Sequence, residues 1–204
     1  MPKIGVLALQ GAFIEHVHRL REVGADAVEV RLPSDLEGVD GLIIPGGEST
    51  TIGRLMDWYE LKEPVTQMAK DGKPIWGTCA GMILLATDVD QESRAQHQPL
   101  LELMDITVRR NAFGSQLDSF EADLEMPTVS DEPVPTVFIR APIVSHVGDD
   151  VEVLGRLSDG KIVAVRQKNL VATAFHPELT GDRRLHEWFM RLVQETVGEP
   201  VTAD

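Results

Sequence analysis

The chain is short of three things: cysteine, positive charge and long apolar runs. One cysteine in 204 residues excludes a disulfide framework and any multi-cysteine zinc or iron–sulfur site. No metal or cofactor is expected, and the chain reads as a soluble, reduced, cytoplasmic protein. Lysine and arginine number 19 against 33 aspartates and glutamates, a net charge of −14. Nucleic-acid affinity rests on clustered bases, and anionic membrane surfaces attract the same groups, so neither partner is expected. No stretch approaches the roughly 18 apolar residues of a spanning helix. The opening MPKIGVLALQG has one base and no cleavage pattern, which fits a first strand and not a signal peptide. What is present suffices for a core. With 43% hydrophobic residues, a chain of this length buries about 70% of its unfolded surface in one domain. That domain is expected over residues 1–197, with a frayed tail at 198–204.

The first half alternates strand and helix patterns. Residues 3–9 (KIGVLAL) form a near-continuous apolar run, as in a strand buried on both faces. Phe13, Val17, Leu20 and Val23 then recur at helical spacing, and Gly24 stands where a C-terminal cap belongs. Residues 27–31 and 41–44 read as further strands, the latter ending at Pro45-Gly46-Gly47. One helix is expected from about Thr50 to Asp71, a short strand at 74–76 and another helix from Met82. Such alternation with short connections implies a parallel sheet with helices on both faces.

The second half is denser in strands. Residues 106–110, 118–124, 136–142, 151–157, 161–167 and 170–176 are strand-like, with hairpin turns expected at Ser158-Asp159-Gly160 and Lys168-Asn169. Residues 182–197 form an amphipathic helix with Leu185, Trp188, Phe189 and Leu192 on one face. The fold class is therefore α/β: three layers around a mostly parallel central sheet, with additional antiparallel strands in the second half.

The lone cysteine sits in Gly77-Thr78-Cys79-Ala80-Gly81, between a short apolar strand and an apolar helix. This is the nucleophile-elbow pattern with cysteine in place of serine. Small neighbours suit a strained turn and leave the nucleophile uncrowded. At a helix start, free N–H groups and the positive dipole end favour a thiolate, and the Ala80 N–H would face an oxyanion. A buried cysteine acting as a small hydrophobe is the alternative. A cysteine nucleophile needs a base, and the base an orienting partner. His16 and His18 fall on the first helix, where a solvated or satisfied role is expected. His97 lies in a polar segment, His146 in a loop-like SHVGDD, and His186 on the last helix. His176 differs, because it ends an apolar strand and is followed by Pro177 and Glu178. The strand delivers the imidazole to the sheet's end, and Glu178 can hold its other ring nitrogen.

Residues 45–50, PGGEST, lack the Gly-Lys-Ser/Thr ending of a phosphate loop. Two glycines after a proline offer a peptide plane that can rotate to donate a second N–H to an oxyanion. A plain turn with a helix cap at Ser49 or Thr50 reads equally well.

Together, GTCAGMILLA, FHPELTGD and PGGEST resemble the class I glutamine amidotransferases, whose fold is flavodoxin-like. More narrowly, ALQGAFIEH, RRNAFGSQLDSFE and VFIRAP resemble the glutaminase subunits of pyridoxal 5′-phosphate synthases, over about residues 3–197. The resemblance implies hydrolysis of L-glutamine to glutamate and ammonia, with Cys79 as nucleophile, His176 as base and Glu178 as its orienter. It implies that Gly47, Glu48, Ser49, Arg110, Ile139 and Arg140 bind glutamine. Gly47 and Ala80 would form the oxyanion hole, and Gln10 would face a partner synthase subunit that takes the ammonia and activates the site. Ser115 departs from the resemblance, standing where an arginine is expected, which puts one local contact in doubt. A glutaminase subunit of another synthase, such as imidazole glycerol phosphate synthase, is the nearest rival; a DJ-1-like redox or binding protein is the rival from another class. Residues 111–139 contain no lysine or arginine and six carboxylates (Asp118, Glu121, Asp123, Glu125, Asp131, Glu132), read as a solvated face.

Overall fold

In the computed structural model, which describes residues 1–113 and 119–198, the first apolar run becomes β1 (Lys3–Leu7), buried from Ile4 onward. Helix α1 (Phe13–Glu22) follows and turns Val17 and Leu20 inward. Gly24 ends it in the left-handed region, φ +85°. Its N–H bonds the Arg21 carbonyl while the Ala25 N–H reaches that of Leu20, the paired bonds of a glycine-terminated helix. Strands β2 (Asp26–Val30) and β3 (Gly41–Ile44) come next. The single helix expected from Thr50 to Asp71 is in fact two, α2 (Ser49–Trp58) and α3 (Lys62–Lys70). Pro64 accounts for the break: it has no N–H to offer the Glu60 carbonyl, and its ring would collide with that group. The chain turns one residue group earlier, with Glu60 at φ +56°.

Strand β4 (Ile75–Thr78) leads into α4 (Ala80–Leu85), which stops after six residues. Strand β5 (Ala86–Val89) and helix α5 (Gln91–Ala95) follow. Neither was legible in the sequence: β5 buries only Ala86 and Val89, and α5 is a single polar turn that buries only Ser93. Then come β6 (Met104–Arg109), β7 (Ser119–Leu124), β8 (Val134–Ile139) and β9 (Ile143–Val147). The segment around His146, expected as a loop, is β9. Only Ile143 and Val144 are buried along it, so no alternation marked it as a strand. The chain closes with β10 (Glu152–Arg156), β11 (Ile162–Gln167), β12 (Leu170–Thr173) and α6 (Arg184–Val197).

The main sheet has ten strands in the order β2-β1-β3-β4-β12-β11-β9-β6-β5, with β10 also on β11; β7 and β8 pair separately. Strands β2, β1, β3, β4 and β12 run parallel, whereas the pairings of β11 and β9 are antiparallel. The chain steps from β1 outward to β2 and then back past β1 to β3. Right-handed crossovers place α1 and the α2–α3 pair on opposite faces as a result. Helix α1 packs against α6, and α2 against α4. Trp76, Phe138, Phe175 and Phe189 are fully buried in the core between these layers. Among the described residues, no helix is long and apolar enough to cross a membrane. Glu121, Asp123, Glu125, Asp131 and Glu132 are all exposed. Ser115, Asp118 and residues 199–204 lie outside the described residues.

Candidate active site

Reversal of strand order beside β1 leaves a crevice at the carboxyl ends of the parallel strands, where α/β sheets bind ligands. Four adjacent strands empty into it. Gln10 lies beyond β1, Gly46 and Gly47 beyond β3, Cys79 directly after β4, and His176 beyond β12.

Cys79 takes φ +49° and ψ −100°, a sparsely populated positive-φ conformation that costs a non-glycine residue about 1–3 kcal/mol. Its N–H bonds the Thr173 carbonyl at 2.8 Å and its carbonyl accepts the Met82 N–H at 3.1 Å, so β12 and α4 hold the turn from both sides. A Cβ at Gly77 would fall 2.4 Å from the Gly81 oxygen, and one at Gly81 would fall 2.1 Å from the Ile44 oxygen. The strand therefore folds onto the helix only because both flanking positions are glycine.

Strand β12 ends at Thr173, three residues short of His176, where the sequence pattern predicts its end, and Pro177 starts a short 3₁₀ turn, Pro177–Leu179. The turn brings Glu178 Oε1 to 2.7 Å from His176 Nδ1. Both side chains are buried. Burial works against a charged imidazole, but the neighbouring Cys79 and Glu178 side chains outweigh it and push the His176 pKa up to about 10. Burial likewise opposes the Glu178 carboxylate, which His16 and His176 together hold well below the usual carboxylate range.

A cavity of about 370 Å³ opens in front of this pair. Gln10, Gly47, Glu48, Ser49, Cys79, Ala80, Arg110, Ile139, Arg140 and His176 all line it, while Glu178 stands behind His176. The helix cap expected at Ser49 or Thr50 falls on Glu48, whose carboxylate accepts the Thr50 and Thr51 N–H groups. These donors and Arg110 hold the Glu48 pKa down against the effect of burial. Ser49 is buried and its hydroxyl donates instead to Gln98 Oε1 at 2.8 Å. The same Gln98 oxygen accepts from an Arg110 guanidinium nitrogen at 2.9 Å, and the other terminal nitrogen lies 3.4 Å from Glu48 Oε1. Gln10 Oε1 accepts the Glu48 N–H at 2.8 Å, and the Ala12 N–H is donated to the Gly46 carbonyl at 3.0 Å. Because the peptide is planar and trans, the Gly47 N–H points the opposite way. Arg140 adopts φ +44°.

Four residues at or behind the cavity were given no functional role from sequence. Gln98 orients Ser49 and Arg110. His16, Thr78 and His186 form a buried polar group behind Glu178, with His16 Nε2 3.2 Å from Glu178 Oε2. No local pattern distinguishes them; they sit on separate elements that only packing unites. His18, His97 and His146 are exposed.

The sequence has many similar proteins. A model of the SNO glutamine amidotransferase family matches residues 6–195. The pyridoxal 5′-phosphate synthase subunit PdxT of Herpetosiphon aurantiacus is 59% identical over 189 residues, 93% of this chain and 99% of that one. The protein of the same name from Dehalococcoides mccartyi is 55% identical over 193 residues, 95% and 98% of the two chains. A crystal structure of a glutamine amidotransferase superposes with a TM-score of 0.87 at 46% identity, covering 93% of this chain and 98% of that one.

Proposed function

The chain belongs to the SNO glutamine amidotransferase family, and from that premise we propose that it is the glutaminase subunit of a pyridoxal 5′-phosphate synthase, working in the cytoplasm. The observation that carries this reading is a strained elbow cysteine beside a Glu178-held histidine, both opening on one cavity with charged groups of both signs. Glutamine is a zwitterion with a neutral amide at its far end. Arg110 and Arg140 suit its α-carboxylate, and Arg140 has no ion-pair partner among the described residues. Glu48 suits the α-ammonium, so the ligand would replace the Arg110–Glu48 contact with two of its own.

The reaction is acyl transfer. Cys79 Sγ bonds to the amide carbon, and the carbonyl electrons move onto oxygen. The Ala80 N–H and the Gly47 N–H receive that oxyanion, each such donor contributing about 2.7–4 kcal/mol in the transition state. As the tetrahedral intermediate collapses, the C–N bond breaks and the His176 imidazolium gives its proton to the departing nitrogen, which leaves as ammonia. Water then attacks the thioester while His176 takes its proton. The C–S bond breaks, glutamate departs, and the thiolate–imidazolium pair is restored. Glu178 keeps the imidazole oriented through both steps.

Ammonia passes to the synthase subunit. Gln10 and Ala12, which grip Glu48 and Gly46 by hydrogen bonds, are placed to couple docking of that subunit to the oxyanion loop. The relatives' names favour this synthase over one making imidazole glycerol phosphate, and a glutaminase over a redox sensor. Ammonia release from glutamine, measured with and without the synthase subunit, tests the reading. Cys79→Ala should abolish release and leave the fold and complex intact; release at the wild-type rate by that variant refutes it.

A further inference from the structure

Behind the His176–Glu178 pair, the polar contacts continue into the core. Glu178 spends Oε1 on His176, but its Oε2 is buried and has no aligned hydrogen-bond donor among the described residues. The group beside it is His16 on α1, whose Nε2 lies 3.2 Å from that oxygen and 3.2 Å from Thr78 Oγ1. On its other side, His16 Nδ1 lies 3.0 Å from Nε2 of His186 on α6. Both rings are fully buried. Trp76 packs edge-on against each, with centroids 5.9 Å from His16 and 5.2 Å from His186.

One direction of donation leaves no buried N–H of the two histidines without an acceptor. His186 Nδ1 has no partner among the described residues. A buried N–H left without an acceptor is rarer than a buried lone pair left without a donor, so Nδ1 carries the lone pair and Nε2 the proton. His186 Nε2–H then donates to His16 Nδ1. That leaves the His16 proton on Nε2, facing Thr78 Oγ1 and Glu178 Oε2. A small rotation of the ring shares it with the carboxylate.

We propose that His16 is a positioning residue of the base: backed by His186, it holds the second oxygen of Glu178 so that the first stays on His176 Nδ1. The proposal rests on the glutaminase reading above. A carboxylate gripped at one oxygen only can rotate about its Cγ–Cδ bond and release the imidazole; gripped at both, it cannot.

Two experiments test it. The first measures glutamine hydrolysis by the complex of the full chain with its synthase subunit. His16→Leu should lower kcat about 10- to 100-fold, the cost typical of losing the hydrogen-bond partner that orients a metal-ligating histidine, with KM within about twofold. His16→Gln, which keeps an N–H near Glu178, should recover most of that loss. In a Glu178→Gln background, adding His16→Leu should cost no more than about twofold, because a residue acting through Glu178 has nothing left to hold. An equal cost in both backgrounds, or a loss carried by KM, overturns the proposal. If the wild-type complex hydrolyses no glutamine, the glutaminase reading falls instead. The second experiment needs neither activity nor a variant that folds. Imidazole ¹⁵N spectra of the wild-type chain should show His16 and His186 with the proton on Nε2; a proton on His16 Nδ1 overturns the proposal.

Discussion

Gly46→Ala is the sharpest probe of the site, because the added methyl group is driven into the His176 imidazole and only grazes Cys79. Gly46 does not lie in the left-handed region, so alanine brings no backbone strain. Its Cβ, however, would stand 2.4 Å from His176 Cε1, 3.0 Å from His176 Nδ1 and 3.3 Å from the Cys79 Cβ. Ordinary contact begins at 3.4 Å, so relief requires the imidazole to retreat by 3.4 − 2.4 = 1.0 Å. The ring is held by a 2.7 Å bond to Glu178 on one side and by Cys79 on the other. A retreat of that size breaks one of these contacts. Misplacement on the order of 1 Å at a reacting group costs about 10²-fold in rate, whereas overpacking one methyl group costs about 1–3 kcal/mol of stability. In a domain of this size the latter lowers Tm by roughly 2–12 °C. Steady-state ammonia release from the complex should therefore show kcat reduced at least about 100-fold while the variant remains folded by circular dichroism. A folded Gly46→Ala protein retaining kcat within about threefold of wild type would refute the argument that this glycine is the clearance for His176.

Two further outcomes follow from the same contacts. With the His176 pKa at about 10, the imidazolium survives through neutral pH, and the alkaline limb of kcat/KM should fall near pH 10. It should move toward the ordinary histidine value of about 6.5 in Glu178→Gln; a wild-type limb near 6.5, or one the substitution leaves in place, contradicts the ion-pair reading. The linked stability has a matching sign. The His176 contribution is full below about pH 6.5 and is lost as pH rises through about 10. That of Glu178, whose pKa is lowered, is full above the ordinary carboxylate value and is lost on acidification, as urea midpoints at several pH values will show. Gln98→Leu removes the shared acceptor of Ser49 and Arg110 without touching Cys79, His176 or Glu178. KM for glutamine should rise about tenfold or more with kcat within about threefold; an unchanged KM would mean that Arg110 and Ser49 keep their places without it.

How much of this was legible beforehand varies from element to element. The near-continuous apolar strands, the glycine-capped first helix and the amphipathic last helix follow from period and punctuation alone, since a strand buried on both faces and a helix buried on one leave different spacings. The break between α2 and α3 was also written in the chain, as Pro64, but its effect falls a turn upstream of the residue that causes it. Strands β5 and β9 left no pattern, because each takes its burial and its hydrogen bonds from neighbours distant in sequence. The elbow around Cys79 and the run from His176 to Glu178 are local: a turn, its flanking glycines and a proline that starts a 3₁₀ turn are all that either needs. Sequence by itself therefore put forward the residues proposed to react and determined the kind of sheet that carries them. Only the tertiary structure decided what surrounds them. Gln98 became the support of the cavity wall, Gly46 the clearance for the base, and His16 and His186, 170 residues apart, a buried pair behind Glu178. Those roles depend on distances across the sheet and between α1 and α6, and such distances exist only once the strand order has been set and the core has closed.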